Sequence, residues 1–411
     1  MLGLLWERFS CQLAARKESI SMQNRKQALF SVCSIGLIIV CFASSLWLDK
    51  QAEPAGGLPQ EPVPTAEAVY QVTLAAVGDN LLHMPVVNSC KQENGGYDMT
   101  PLYENIRPIL DQTDITAIGL ETVLAGEEFG YSGYPAFNSP QAAGQAMAEA
   151  GFDLILMASN HAMDMGKKGL LNTLDFWGQY PGVTTAGAHA TPADQAAIRV
   201  LDKGIRVAAL NYTYGLNGIE LTPERAHLVD LTDPERIRRD VEAARAAADF
   251  VVVFIHWGKE YVREIQPDQQ KLAQYMADLG VDLIIGAHPH VLGPAEWLTG
   301  LTGNKTLVYY SLGNYISSQR KADNLLGGMA RVTVTGVRDQ SGKMRTEITE
   351  AALTPLVTYY DKNLKNFTVY PFRDYTPEIA AGHGLSGMTP QALRAGLDEL
   401  YPAGCGVWVD Y

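Results

Sequence analysis

Seven short apolar runs, each broken at once by polar residues, constrain this chain more than anything else in it. They are Tyr70–Val77, Ile115–Leu120, Leu154–Met157, Val207–Leu210, Phe250–Ile255, Val281–Ile285 and Leu307–Ser311. Runs this short, closed by glycine or polar residues, read as buried strands. Helical patterns alternate with several of them. Gln141–Ala150 is rich in alanine. Asp233–Ala248 opens with Asp-Pro, an N-cap followed by proline at the first helical position. Asp268–Leu279 sets Leu272, Tyr275, Met276 and Leu279 on one helical face. Such alternation predicts an α/β architecture, a mostly parallel or mixed sheet with helices outside it. Further on, Met329–Val334 and Arg345–Leu353 tend to alternate apolar and polar residues, which predicts an antiparallel addition.

Ligands of open α/β sheets gather beyond the carboxyl ends of the strands. In this chain those ends carry Asp79, Glu121, Asn160 with His161, His256, and His288 with His290. Asp164 lies just past His161, Glu260 past His256, and Asn314 past the seventh run. The sixth run is the most telling: V-D-L-I-I-G-A-H-P-H turns at Gly286 and holds two imidazoles on either side of Pro289. One histidine after a strand is unremarkable. Four at three strand ends, joined by an Asp, a Glu and an Asn, are poorly explained by packing. Oxygen and nitrogen donors without sulfur favour Mn, Fe, Zn or Mg over copper or a cluster. Two such ions sharing a carboxylate can clamp a phosphoryl or acyl oxygen and generate hydroxide near neutral pH.

Of the five cysteines only Cys90 and Cys405 follow residue 50, without C-x-x-C spacing. No thiolate metal site is indicated, and one Cys90–Cys405 bridge stays open. Acidic residues outnumber basic ones 45 to 32, for a net charge of -13. Arg8, Arg16, Lys17, Arg25, Lys26 and Lys50 all fall in the first fifty positions, so the body is more acidic still. A body of that sign is a poor partner for nucleic acid.

Ala28–Leu48 carries no charge and is long enough for a helix to cross a bilayer. Arg25 and Lys26 precede it, which predicts a single-pass anchor with its N-terminus in the cytoplasm and its body outside. Met22 is an alternative start, since M-Q-N-R-K-Q and the apolar run already form a complete signal. The expected organisation is a cytoplasmic segment over 1–27, an anchor over 28–48, a Pro-rich tether over 49–69, a main domain over 70–360 and a C-terminal extension over 361–411. His189, His227 and His383 fall outside every motif and read as surface residues.

The segments V-G-D-N-L-L-H (77–83), G-L-E-T (119–122), A-S-N-H-A-M-D-M-G (158–166), F-I-H-W-G-K-E-Y (254–261), G-V-D-L-I-I-G-A-H-P-H-V-L (280–292) and Y-Y-S-L-G-N-Y-I (309–316) together resemble the CapA/PgsA proteins of bacterial poly-γ-glutamate capsule synthesis. The body of those proteins is similar to the calcineurin-like metallophosphoesterases. The resemblance covers about residues 70–335. It implies a four-layer α/β/β/α sandwich binding two divalent metal ions. Asp79, Glu121 and His290 would hold one ion, and Glu121 would bridge to a second held by Asn160, His256 and His288. His161 would be the general acid, steered by Asp164. Glu260 would back His256 or contact substrate. Ser311–Asn314 reads as structural, with Asn314 making a hydrogen bond near the site, where it is also a candidate substrate contact. His83, four residues from Asp79 rather than two, departs from the metallophosphoesterase D-x-H pattern and need not be a ligand. Gly119 and Ser159 stand where asparagine is common. The loop Tyr134–Pro140 resembles a cleft-lining loop of the family, although an ordinary proline turn explains it equally well. The implied partners are the membrane, other poly-γ-glutamate synthase subunits and the anionic polymer. Two other functions remain open: a non-catalytic assembly subunit, and a general extracytoplasmic phosphoesterase.

Overall fold

Phe250–His256 shows how the sequence builds the centre of the molecule. Val252 and Phe254 point into one apolar core, while Val251, Val253 and Ile255 point into another. A strand buried on both faces has to be apolar throughout, so this one lacks the alternation of a half-exposed strand. The computed structural model describes residues 68–411. The segment 28–48, expected to cross a membrane, lies outside the described residues. Among those residues no helix is long and apolar enough to do so.

Among the described residues fifteen strands form two sheets, in a mixed α/β fold. They are β1 (Ala68–Asn80), β2 (Ile115–Leu120), β3 (Leu154–Leu156), β4 (Thr184–Ala186), β5 (Arg199–Asp202), β6 (Arg206–Thr213), β7 (Phe250–His256), β8 (Leu283–Ala287), β9 (Ala295–Thr299), β10 (Lys305–Tyr309), β11 (Asn314–Ile316), β12 (Leu326–Arg338), β13 (Met344–Tyr359), β14 (Thr368–Pro371) and β15 (Trp408–Val409). The first sheet runs β14-β13-β12-β1-β2-β3-β4, with β11 beside β1 and β15 beside β13. The second runs β5-β6-β7-β8-β10-β9. β1 to β4 pair in parallel, as do β6, β7, β8 and β10. Each parallel set therefore brings its carboxyl ends to one edge. The expected antiparallel addition is β12 with β13, in register from Leu326 opposite Val357 to Arg338 opposite Met344 across one bulge.

The larger core takes side chains from both sheets, including Leu74 and Val77 of β1 and Phe254, Ile285 and Leu307 of the second sheet. Ala143, Ala146 and Met147 of the helix Ala142–Ala150 join it. The smaller core lies on the other face of the second sheet. There Ile237, Val241 and Ala244 of the helix Pro234–Ala247, and Ala273 and Met276 of Pro267–Asp278, pack on β7 and β8. Asp233 caps the former helix by accepting from the Arg236 N–H at 2.7 Å, as its Asp-Pro start predicted.

Several expectations need correction. The segment 361–411, expected as an extension, continues the first sheet, because β14 and β15 both pair with β13. His189 and His383 are buried, not superficial. His189 Nε2 lies 2.8 Å from Asp230 Oδ2. His383 contacts the Thr358 carbonyl through Nε2 at 3.0 Å and accepts the Leu385 N–H through Nδ1 at 2.8 Å. Single histidines in weakly patterned stretches give no sign that their polar atoms will be satisfied internally. Cys90 and Cys405 are free thiols.

One close approach fixes where β1 ends. A Cβ at Gly78 would stand 1.8 Å from the carbonyl oxygen of Gly313, and neither backbone has room to move. The Asp79 N–H donates to that same oxygen at 3.0 Å. The substitution Gly78→Ala is expected to cost about 3 kcal/mol of stability, as overpacking against rigid backbone does. Urea unfolding checks this. An unchanged midpoint would mean that the end of β1 is not pinned here.

Candidate metal centre

Six side chains from five strand ends converge. Asp79 ends β1, Glu121 follows β2, and Asn160 lies four residues past β3. His256 ends β7, and His288 and His290 follow β8. All six are buried. The rings of His256 and His288 lie 4.7 Å apart, and those of His288 and His290 5.7 Å. His256 Nδ1 is 3.6 Å from Asp79 Oδ1, and its Nε2 is 2.8 Å from Asn160 Oδ1 and 3.4 Å from Glu121 Oε1. His290 Nδ1 lies 3.3 Å from Asp79 Oδ2 and 3.6 Å from Glu121 Oε2. The donor atoms fall into two compact groups, Asp79–Glu121–His256 and Glu121–His288–His290. Glu121 is common to both, as a bridging carboxylate must be. His290 also lies beside Asp79, and His256 beside His288.

Local backbone makes this convergence possible. His288 and His290 adopt positive φ, 96° and 57°, on either side of Pro289. The His288 N–H donates to Asp79 Oδ2 at 3.0 Å, tying the loop after β8 to the end of β1. A Cβ at Gly286 would meet the Tyr310 carbonyl at 2.1 Å and Trp257 Nε1 at 2.4 Å, so only glycine lets this strand pass.

Both oxygens of Glu121 and Nδ1 of His288 are buried without a hydrogen-bond partner among the described residues. An unpaired buried carboxylate is costly unless a charge or metal compensates it. The donor set therefore fits a hard or borderline divalent cation. Burial works against the Asp79 anion, but His290, His256 and the His288 amide hold its carboxyl below the usual range. Burial, reinforced by His256 and His290, depresses His288 to about 2, so its imidazole is neutral and free to ligate. Burial would also lower His290, yet Glu121 and Asp79 raise it to about 9. The field that favours a proton there is the field that would draw a metal.

His161 stands beside this cluster. Its Nδ1 lies 2.7 Å from Asp164 Oδ2, and the same oxygen accepts the Phe137 N–H at 2.6 Å. Burial opposes protonation of His161, but the Asp164 bond and the Glu121 and Asp164 charges together outweigh it and the pKa is raised. The Phe137 ring meets His161 edge-on at 4.7 Å and His83 at 5.3 Å. The Tyr134–Pro140 loop thus packs against His161.

Residues 73–319 match the family described as bacterial capsule synthesis protein PGA_cap. The chain belongs to that family. It is 34% identical to the "PGA biosynthesis protein CapA" of Bacillus subtilis over 180 residues, 43% of this chain and 45% of the relative, so it spans just under half of that protein. It is 26% identical to the "Capsule biosynthesis protein CapA" of Bacillus anthracis over 358 residues, 84% of this chain and 82% of the relative. Among solved structures, a purple acid phosphatase from yellow lupin seeds aligns with 70% of this chain and 55% of its own, at 13% identity and a TM-score of 0.38. A hypothetical protein from Thermus thermophilus aligns with 67% and 98%, at 17% identity and a TM-score of 0.38.

Within this PGA_cap fold the remaining candidates take distinct places. His83 falls in neither ligand group. Glu260 is exposed at the rim. Asn314 is buried and faces inward: its Oδ1 lies 3.0 Å from His290 Nδ1, and its Nδ2 donates to the Asn324 carbonyl and Gln319 Oε1, each at 2.9 Å. These contacts tie the Asn314 amide to His290.

Asn217 went unnoticed in the sequence. Its Oδ1 accepts from Asn160 Nδ2 at 3.0 Å, which turns Asn160 Oδ1 toward His256 and the centre. The Asn-Gly pair at 217–218 marks a turn, and Asn217 has φ 50°, but a turn signal says nothing about which neighbour the amide will hold. Asn217→Ala is expected to weaken metal affinity by about tenfold, in the range typical of residues that orient a ligand. Titration of the metal-free protein with Mn(II) by calorimetry checks it, and wild-type affinity would remove Asn217 from the centre.

Proposed function

We propose that this PGA_cap protein is a membrane-anchored, extracytoplasmic component of poly-γ-glutamate capsule synthesis or export, and that its body is a dinuclear metal-dependent hydrolase of phosphoesterase type. The carrying observation is the pair of ligand groups that share Glu121, whose buried oxygens have no partner among the described residues. Family membership and the names of the two CapA relatives support the capsule context. The charge-free run 28–48 behind Arg25 and Lys26 supports the anchor and the orientation. Two sheets sharing a core, with helices packed beside them, support a four-layer sandwich. Synthase subunits and the anionic polymer are the partners this reading calls for.

Asp79, Glu121, Asn160, His256, His288 and His290 would hold the ions. When bound, such ions polarise a phosphoryl or acyl oxygen and lower the pKa of a coordinated water. The chain's own residues supply the rest. Asp164 fixes the His161 ring through Nδ1, which leaves Nε2 to give a proton to a leaving oxygen. Phe137 packs on that ring and limits its rotation. Asn314 and the Asp79–His288 backbone bond keep the His288–Pro289–His290 turn in place.

Two measurements test this reading. Full-length protein should carry tightly held divalent metal by elemental analysis, and His256→Ala and His288→Ala should each lose most of it. Wild-type protein without metal, or variants with full occupancy, would leave the capsule protein as a scaffold. The second concerns the proton donor. Asp164 raises the His161 pKa, so Asp164→Asn should move the His161 titration to lower pH. The alkaline limb of phosphodiester hydrolysis should follow it, since the acid form is then lost earlier. Histidine NMR follows the first and a pH–rate profile the second, and superimposable curves would count against the steering role.

A further inference from the structure

The rim of the metal centre is aromatic. Tyr134, Tyr214 and Tyr261 are 79%, 47% and 50% exposed. Scattered exposed rings need no explanation, but rings gathered round one polar floor do. Tyr214 stands 4.6 Å from the His288 ring and lies parallel to that of His256, at 6.5 Å with 8° between planes. Tyr261 stands 6.0 Å from His290, and Tyr134 is close enough to interact with it. Tyr261 is held at φ 66°, a conformation unfavourable for a bulky side chain. Its N–H donates to the Pro289 carbonyl at 2.8 Å, and its hydroxyl accepts from Gln319 Nε2 at 3.3 Å. This ring is therefore attached to the very turn that carries His288 and His290. Lys321 Nζ lies 5.7 Å from its centre, a positive charge at the mouth of the site. Exposed Glu260 adjoins it as a hydroxyl acceptor.

We propose that this rim is a ring-stacking subsite, and that the ligand is an anionic ester bearing a ring with an apolar face, as in a hexose phosphate or a nucleotide. The anion would sit on the floor and the ring against Tyr214 and Tyr261. The proposal rests on the metal-centre reading above and names the substrate class of the same site. Sugar faces and bases both stack on tyrosine, and hydroxyl groups suit Glu260. An extended aliphatic polycarboxylate has no face to stack and meets Glu260 with like charge.

Calorimetry on full-length, Mn(II)-loaded protein tests it, with glucose 1-phosphate, adenosine 5′-monophosphate, glycerol phosphate, a glutamate oligomer and inorganic phosphate as probes. One or both ring esters should bind at least tenfold tighter than glycerol phosphate. Tyr214→Ala should erase most of that preference while leaving metal content and phosphate affinity unchanged, Tyr261→Ala should also reduce it, and Tyr261→Phe should keep it. Equal affinity for ring and glycerol esters, a preference untouched by both alanine variants, or tightest binding of the glutamate oligomer would overturn the subsite. Protein that takes up no metal yet retains the ring preference would overturn the metal reading and leave the subsite standing.

Discussion

Glu121 sets the terms for the rest of this structure. Its carboxylate is buried, neither oxygen has a hydrogen-bond partner among the described residues, and imidazoles from the ends of two different strands approach within 3.4 and 3.6 Å. A fold bears such an arrangement only if something else compensates it. The surrounding contacts all serve to keep that arrangement in place. The His288 amide binds Asp79, Asn160 is turned by Asn217, and His290 is turned by Asn314. Each of these hydrogen bonds orients a candidate ligand, the role that neighbours of metal-binding side chains play.

Much of this was legible in the sequence because the signals were local. Ile115–Leu120 is a strand with the expected bounds, and the three patterned helices lie within a residue or two of their expected ends. The six candidate ligands converge because strand ends in a parallel sheet share one edge, so residues far apart in the chain arrive together. The rest rested on information that a pattern does not carry. β5, β9, β11, β14 and β15 are two to five residues long and owe their pairing to tertiary neighbours. The C-terminal tail looked like an extension because its aromatic residues lack periodicity. In the fold, Tyr401 donates to the Gly293 carbonyl at 2.8 Å, and Tyr359 and Tyr360 pack round His383.

Strain is distributed unevenly, and its location is informative. Among the described residues, six that are not glycine take positive φ: Asn217, Tyr261, His288, His290, Leu364 and Asn366. The first four border the metal centre, and each such residue costs on the order of 1–3 kcal/mol where the side chain is not suited to it. Each is restrained by a contact already described: Asn217 by Asn160, Tyr261 by Pro289, His288 by Asp79 and His290 by Asn314. The last three restraints form one connected set, because Tyr261 bonds to the residue between the two histidines. A relaxed backbone at any of these positions would swing its side chain away from the floor or the rim. Floor and rim are thus joined through one strained turn: the backbone that orients His288 and His290 also carries the Tyr261 ring.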